Sequence, residues 1–521
     1  MSPITSALRF TPIQTPPAPT QNLIVRQPTS VASAPGTQVI LGQDTRVPDS
    51  ETYTSRGTLD NAQPSYTWEQ DGLDKLSMYM FSAVKSSSTA ARFQGLGSAL
   101  VEQLAASGGQ RVSQSALQVN ETDTTPLNLQ QSRLREFASN TVTLSLTTAS
   151  GATVKLGLYN GERGLAVDAE VQGGELNANE LKGLAALADG FQSAINGLTR
   201  QPPSLQLGSL VKLDPNLFSG LQMNAKLDLP SGGQQTFDLR LDGSTRSLKL
   251  DGPSGQVQLD LDSQGGALLG GKAQRQAALD NYLTQFDEAQ KRGKGDAQLT
   301  SLLKDAFSQL NSIDDNSPRP AGHNDAVNTY SRALLSGLAD FKASIVQPSS
   351  RPNARRLDEE DRFAYQVSQS TSTSGQGTTI ARQQRQEAKL DAAWHSSLSS
   401  AAKLTEADPF DEKNYRYHTL SETASSTTEL SFVDNVLKEA KATQEATSTK
   451  RVLAYEGGKL ESDVSTPESV SRSRNLLNLL DDLFKTDEKA RRNGSQYDLD
   501  AQLAAHAGLW QLQTDPAKIH D

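Results

Sequence analysis

The stretch FASNTVTLSLTTASGATVKLGLYNGERGLAVDAEV, residues 137–171, decides the reading of the fold. Val142, Leu144 and Leu146 alternate with Thr and Ser, the pattern of a strand with one face buried. Ala149-Ser150-Gly151 makes a turn, and Val154, Leu156 and Leu158 form the returning strand. Asn160-Gly161 is a hairpin signal, and Leu165, Val167, Ala169 and Val171 make a third strand of an antiparallel meander. After Gly173-Gly174 the period changes: Leu181, Leu184, Leu187, Ala188, Phe191, Ile195 and Leu198 lie on one stripe of a helix that covers the sheet and stops before Pro202-Pro203.

Alternation then resumes at Leu221–Leu229, at Phe237–Leu241, at Leu248–Leu250 and at Val257–Leu261. Ser231-Gly232-Gly233, Asp242-Gly243 and Asp251-Gly252 punctuate the runs, so neighbouring antiparallel strands are favoured and the sheet reaches about seven strands.

Outward from this core, residues 1–65 are rich in Pro, Ser, Thr and Gln and read as a disordered tail. Residues 66–110 read as a helical segment, with Leu73, Leu76, Met80, Phe81 and Val84 on one face and a second helix from Phe93 to Leu104. The sheet plus helix occupies 135–270. Residues 272–346 read as three helices through Leu279–Phe286, Leu299–Phe307 and Tyr330–Phe341, followed by a polar β-rich region at 357–465 and C-terminal helices at 466–521. The fold class is therefore α+β: an antiparallel sheet covered by a helix, with flanking helical segments and a second polar β-rich region.

The chain of 521 residues carries 60 acidic against 50 basic residues, a net charge of -10, so nucleic acid and anionic membranes are poor partners. The basic residues interleave with acids, as in Arg355-Arg356-Leu357-Asp358-Glu359-Glu360-Asp361-Arg362, the pattern of a solvated face. With no cysteine, disulfides, thiolate metal sites and cysteine nucleophiles are excluded. No apolar run is long enough for membrane insertion, and the N-terminus lacks a basic start and an apolar h-region, so a cytoplasmic location or export by a non-classical route is expected.

Gly266-Ala-Leu-Leu-Gly-Gly271-Lys272-Ala273 matches the phosphate-loop spacing but places Ala273 where a hydroxyl must hold magnesium. Gly95-Leu96-Gly97 lacks both a preceding strand and the third glycine of a dinucleotide site, with Leu100 in its place. Asp260 to Gly265 opens like a calcium loop, yet its twelfth position is Gly271, not Glu. Ser82/Lys85, Ser209/Lys212 and Ser301/Lys304 share a Ser-x-x-Lys spacing without partner motifs. His323, His395, His418, His506 and His520 are dispersed and read as surface or capping residues, and acidic pairs such as Asp481-Asp482 fix no acid–base separation. No catalytic residue, cofactor or metal follows from these motifs.

The segment Gly174–Leu198, GELNANELKGLAALADGFQSAINGL, with its leucine-alternating hairpins, resembles a group of uncharacterised proteobacterial proteins, some of which carry an automatic lactate dehydrogenase name. The likeness covers the first half of the chain and transfers no site residue. The reading of function is a non-enzymatic bacterial interaction protein with an unidentified protein partner, surface-associated or exported without a classical signal peptide. Two alternatives stand beside it: a cytosolic hydrolase assembled only in the fold, and an intracellular scaffold whose edge strands around 363–455 accept a partner strand.

Overall fold

The computed structural model describes residues 65–70, 72, 74–119, 123–262, 268–316, 325–398, 411–495 and 497–519. The expected disordered tail lies outside them, apart from residue 65, as do Leu73, Gly265, Gly266, His323 and His520.

The strands are β1 (Tyr66–Trp68), β2 (Val112–Gln118), β3 (Asn140–Thr148), β4 (Thr153–Gly161), β5 (Gly164–Gln172), β6 (Phe218–Asp228), β7 (Gln234–Asp242), β8 (Thr245–Gly252), β9 (Gly255–Asp262), β10 (Asp340–Val346), β11 (Arg362–Gln376), β12 (Thr379–Ser397), β13 (Tyr415–Val433), β14 (Val436–Glu456) and β15 (Lys459–Asn475). All join one antiparallel sheet in the order β1-β2-β5-β4-β3-β6 and then sequentially to β15. The coarse reading, an antiparallel sheet with helices, holds. The sheet has 15 strands, however, because the polar strands after residue 357 continue the leucine-rich ones through β10.

That continuation corrects one element. The helix read through Tyr330, Leu334, Leu338 and Phe341 stops at Leu334, and Asp340–Val346 is a strand whose Phe341, Ala343 and Ile345 face the core. Gly337, at φ +72, turns the chain there, a backbone that only glycine adopts freely. At the other end, residues 466–475 belong to β15 and not to a helix, and Tyr66–Trp68 is a strand.

The helices are α1 (Lys75–Ala83), α2 (Thr89–Phe93), α3 (Leu96–Ala106), α4 (Leu127–Glu136), α5 (Ala178–Ala186), α6 (Ala188–Leu198), α7 (Lys272–Gly293), α8 (Ala297–Asn311), α9 (Asp325–Leu334), α10 (Leu476–Leu479), α11 (Asp481–Arg492) and α12 (Leu499–Ala504). The stripe read over 181–198 is broken at Leu187 into α5 and α6; Asn177 and Glu180 cap α5 reciprocally. Gly95 and Gly97 serve packing: Gly95 takes φ +76 at the start of α3, and the Gly97 amide donates to Gln192 Oε1 of α6 at 2.8 Å. Phe81, expected on the buried face of α1, is exposed and stacks on Trp68.

One face of the sheet is dry. Val142, Leu144, Leu146, Leu156, Val167, Leu239, Leu259 and Leu390 all belong to a single apolar core beneath the helices. Where α7 and α8 meet β10 and β11, Tyr282, Phe286, Phe307, Phe341 and Tyr365 meet mostly edge to face with centroids 4.8 to 6.4 Å apart. Only α4 lies on the opposite face, where Leu134 packs on Leu117 and Ala166.

Further along the sheet part of the covering layer is irregular chain and short turns rather than long helix, and the strands answer with amides. Gln386 Oε1 accepts from the Leu512 amide at 2.7 Å, Gln384 Oε1 from Ser336 at 2.8 Å, and Gln444 Nε2 donates to the carbonyls of Gly508 and Gln511. Irregular backbone brings N–H and C=O groups that a purely apolar face would leave unpaired. This is why β11–β14 are rich in Gln, Ser and Thr even at inward positions.

Candidate functional site

Three features of the strand-rich second half stand out: a polar trough, a strap over its end, and a free edge.

The wet face of β9–β14 curls into a trough of about 710 Å³. Open sheets of this many strands accumulate twist and curl. The pairing register sets the side chains in rungs across it. One rung runs Asp260, Lys342, Ser368, Glu387, Ser425 and Glu445, and the next runs Gln258, Ser344, Gln366, Lys389, Thr423 and Thr447. Thr423 and Thr447 hydroxyls meet at 2.8 Å, and Arg385 pairs with Glu387 at 2.6 Å. The floor carries both signs of charge in alternation. Asp260, noted for its place in a calcium-like loop, stands opposite Lys342.

The strap is the segment 347–361. The sequence reads its run of charges as a solvated face, but the structure folds it back over one end of the wet face. His395 of β12 is the pin: Nδ1 is 2.6 Å from Asp361 Oδ1 and Nε2 is 3.2 Å from Glu359 Oε2. Its side chain is 3% exposed, so it is neither a surface nor a capping residue. Tyr415 donates to Glu359 Oε2 at 2.7 Å, and the Tyr417 hydroxyl accepts from the Glu360 amide at 3.1 Å. Arg356 lies over the Tyr455 ring, which stacks on Tyr415. Burial alone would lower the His395 pKa, but the carboxylates of Asp361 and Glu359 outweigh it and raise the value above the ordinary one. Sequence spacing gave no sign of this site, because its parts are brought together by the β12–β13–β14 register.

His418 has the opposite environment. It lies on the helix side of β13, stacked on Trp394 at 4.9 Å, with Nε2 2.8 Å from the Ser396 hydroxyl. Burial, helped by Lys450, Arg416 and Lys294, pushes its pKa down to about 4. Nδ1 is buried and has no partner among the described residues. A Ser–His pair without an orienting acid, its imidazole this weakly basic, is poorly set for proton abstraction at neutral pH. His506 caps nothing beyond the Gln502 carbonyl of its own turn. Of the Ser-x-x-Lys members, Lys304 pairs with Asp287, Lys85 lies over Phe81, and Ser209 donates to the Ala186 carbonyl. Lys272, the lysine of the phosphate-loop spacing, opens α7 after Gly271.

The free edge is β15. It is hydrogen-bonded to β14 alone, and its residues 459–469 are exposed on both faces. The edge was expected within 363–455, where β11–β14 are paired on both sides over most of their length, Ser370–Gln376 of β11 being paired with β12 alone.

No family model, curated protein or solved structure matches the chain.

Proposed function

We propose that the protein is a non-enzymatic interaction protein that receives an extended segment of a protein partner along β15. The observation that carries this reading is the strand itself: 17 residues long and, among the described residues, paired on one side only and bare of any covering element over its first eleven. An edge of this length is a ready template for strand addition, and proteins that do not use such an edge shorten, twist or cover it.

Partial protection marks which part is open. Pro467 has no N–H, and inside a paired strand its nitrogen belongs on the free side. Residues two apart share that side, so Ser465 and Ser469 present their amides outward. Leu460 and Val464, both about half exposed, offer apolar contact to an incoming strand on either side of the register shift between Leu460 and Ser462.

The test is a photo-crosslinking amino acid at Val464 in cells, with and without the double substitution Ser465→Pro and Ser469→Pro. The expected result is a discrete adduct in the parent that disappears in the proline variant. A label at Ser247, on the wet face of β8, serves as control. No adduct at Val464, or one that survives both prolines, refutes strand addition at this edge.

A further inference from the structure

Among the described residues, the helix-side layer stops short of one end of the sheet. The C-terminal turn Pro516–Lys518 is in contact with β14 and β15. Beyond it, Lys450, Leu460 and Val464 are exposed, and Arg416, Val452 and Ala454 are half-buried. Alternation along β13, β14 and β15 puts all of them except Leu460 on the same side as His418; Leu460 lies past a register shift, opposite Tyr455.

Three cations converge there. Arg416 is two residues from His418 on β13, Lys450 is its diagonal neighbour on β14, and Lys294 follows the end of α7. None of the three forms an ion pair among the described residues, whereas Arg135, Arg246, Arg292 and Arg362 each reach a carboxylate. The nearest acid on β15, Glu468, stands one pair further along, opposite Ser448, and is likewise without an ion pair among the described residues. Arg416 pairs with Ala454 and Lys450 with Leu420, so the two cations flank the His418–Val452 pair from either side. In a chain of net charge -10 such a cluster is a local exception. Its field reaches His418, whose imidazole stays neutral and whose Nδ1 lacks a partner. A buried polar atom in this position calls for an explanation, and a group from outside supplies one.

We propose that this uncovered end of the helix-side face, centred on Arg416, Lys450, Lys294 and the Trp394–His418 stack, binds an acidic peptide segment of a protein partner. Carboxylates meet the three cations, and apolar side chains of the same segment cover Val452 and Val464. The mixture of charge and apolar area distinguishes such a segment from a purely polyanionic ligand. The spacing also fits: an extended peptide repeats its side chains on one face every ~6.8 Å, the same two-residue step that separates Arg416 from His418. This surface shares Val464 with the β15 edge, but it engages side chains of the helix-side face rather than the free hydrogen-bonding groups of the edge, and R416E/K450E tests it independently of the proline variant.

The experiment titrates the full chain with a synthetic peptide of about twelve residues made of Asp, Glu, Leu and Ser, read by calorimetry and tryptophan fluorescence. Its controls are the same peptide with Asn and Gln for the acids and a single-stranded oligonucleotide of similar charge. The expected result is saturable binding, weakened by about tenfold or more in R416E/K450E and in the amide peptide, with R416Q/K450Q intermediate. K342E/K389E, the same charge change in the trough, leaves affinity within about twofold. Circular dichroism verifies that each variant is folded. Absence of saturable binding, equal loss in the trough variant, wild-type affinity in R416E/K450E, or tighter binding of the oligonucleotide overturns the proposal.

Discussion

His395 and Asp361 meet with Nδ1 2.6 Å from Oδ1, while the other ring nitrogen faces Glu359. An imidazole donates to two carboxylates only when both nitrogens carry a proton, so the strap is held by the charged form.

Stability should therefore depend on pH through this residue. The folded pKa is raised, so the stabilisation is fully present below the unfolded value of about 6.5 and is lost as pH rises through the higher folded value. Urea midpoints of wild type and H395Q, compared across this window, should differ most on the acid side and converge on the alkaline side. A pH-independent difference would remove the charged imidazole from the account.

Arg292 forms a bidentate pair with Glu422, whose side chain is 6% exposed. R292A strands a buried carboxylate and should cost roughly 3–5 kcal/mol in chemical denaturation. The double variant R292M/E422L removes both charges and should recover most of that loss. No recovery in the double variant would show that Arg292 acts through packing or through its bond to Thr514 instead.

Phe307→Ala empties the centre of the aromatic group between α8 and β10 and should cost about 3–5 kcal/mol. Phe81→Ala, at an exposed ring, should fall within about 0.5 kcal/mol. The contrast, measured by thermal or urea unfolding, separates the true core from the apolar stripe read in the sequence.

Gln386→Leu deprives the Leu512 amide of its acceptor at a buried position and should cost about 1–3 kcal/mol. Hydrogen exchange should localise the effect, with faster exchange at Leu512 and its neighbours and little change in β3–β6. Uniform acceleration would mean that the tail is not held locally by this bond.

The sequence was legible where one rule decided each position. Val142, Leu144 and Leu146 alternate because helices cover one face of β3, and the hairpin at Ala149–Gly151 falls as read, whereas the next one turns at Glu162-Arg163, with Asn160 and Gly161 still paired to Leu165 and Gly164. Leu338 and Phe341 misled because their spacing suits a helix, while Gly337 and the register with β9 and β11 make the segment a strand. The polar strands were hard to read because their inward Gln384, Gln386 and Gln444 face backbone rather than side chains, so the hydrophobic period fades. The His395 cluster was invisible for another reason: Glu359 and Asp361 lie more than thirty residues from His395, and their run resembles any solvated charge cluster.

From β7 to β15 every strand is bonded only to its neighbours in the chain, and the three described helices α7–α9 enter between β9 and β10 without disturbing that order. Mechanically this is a zip. A pull on the described C-terminal end first detaches the tail held by Gln386 and Gln444, and then opens β15 from β14 and each earlier hairpin in turn, so that extension under force should advance in steps of one strand rather than in a single rupture.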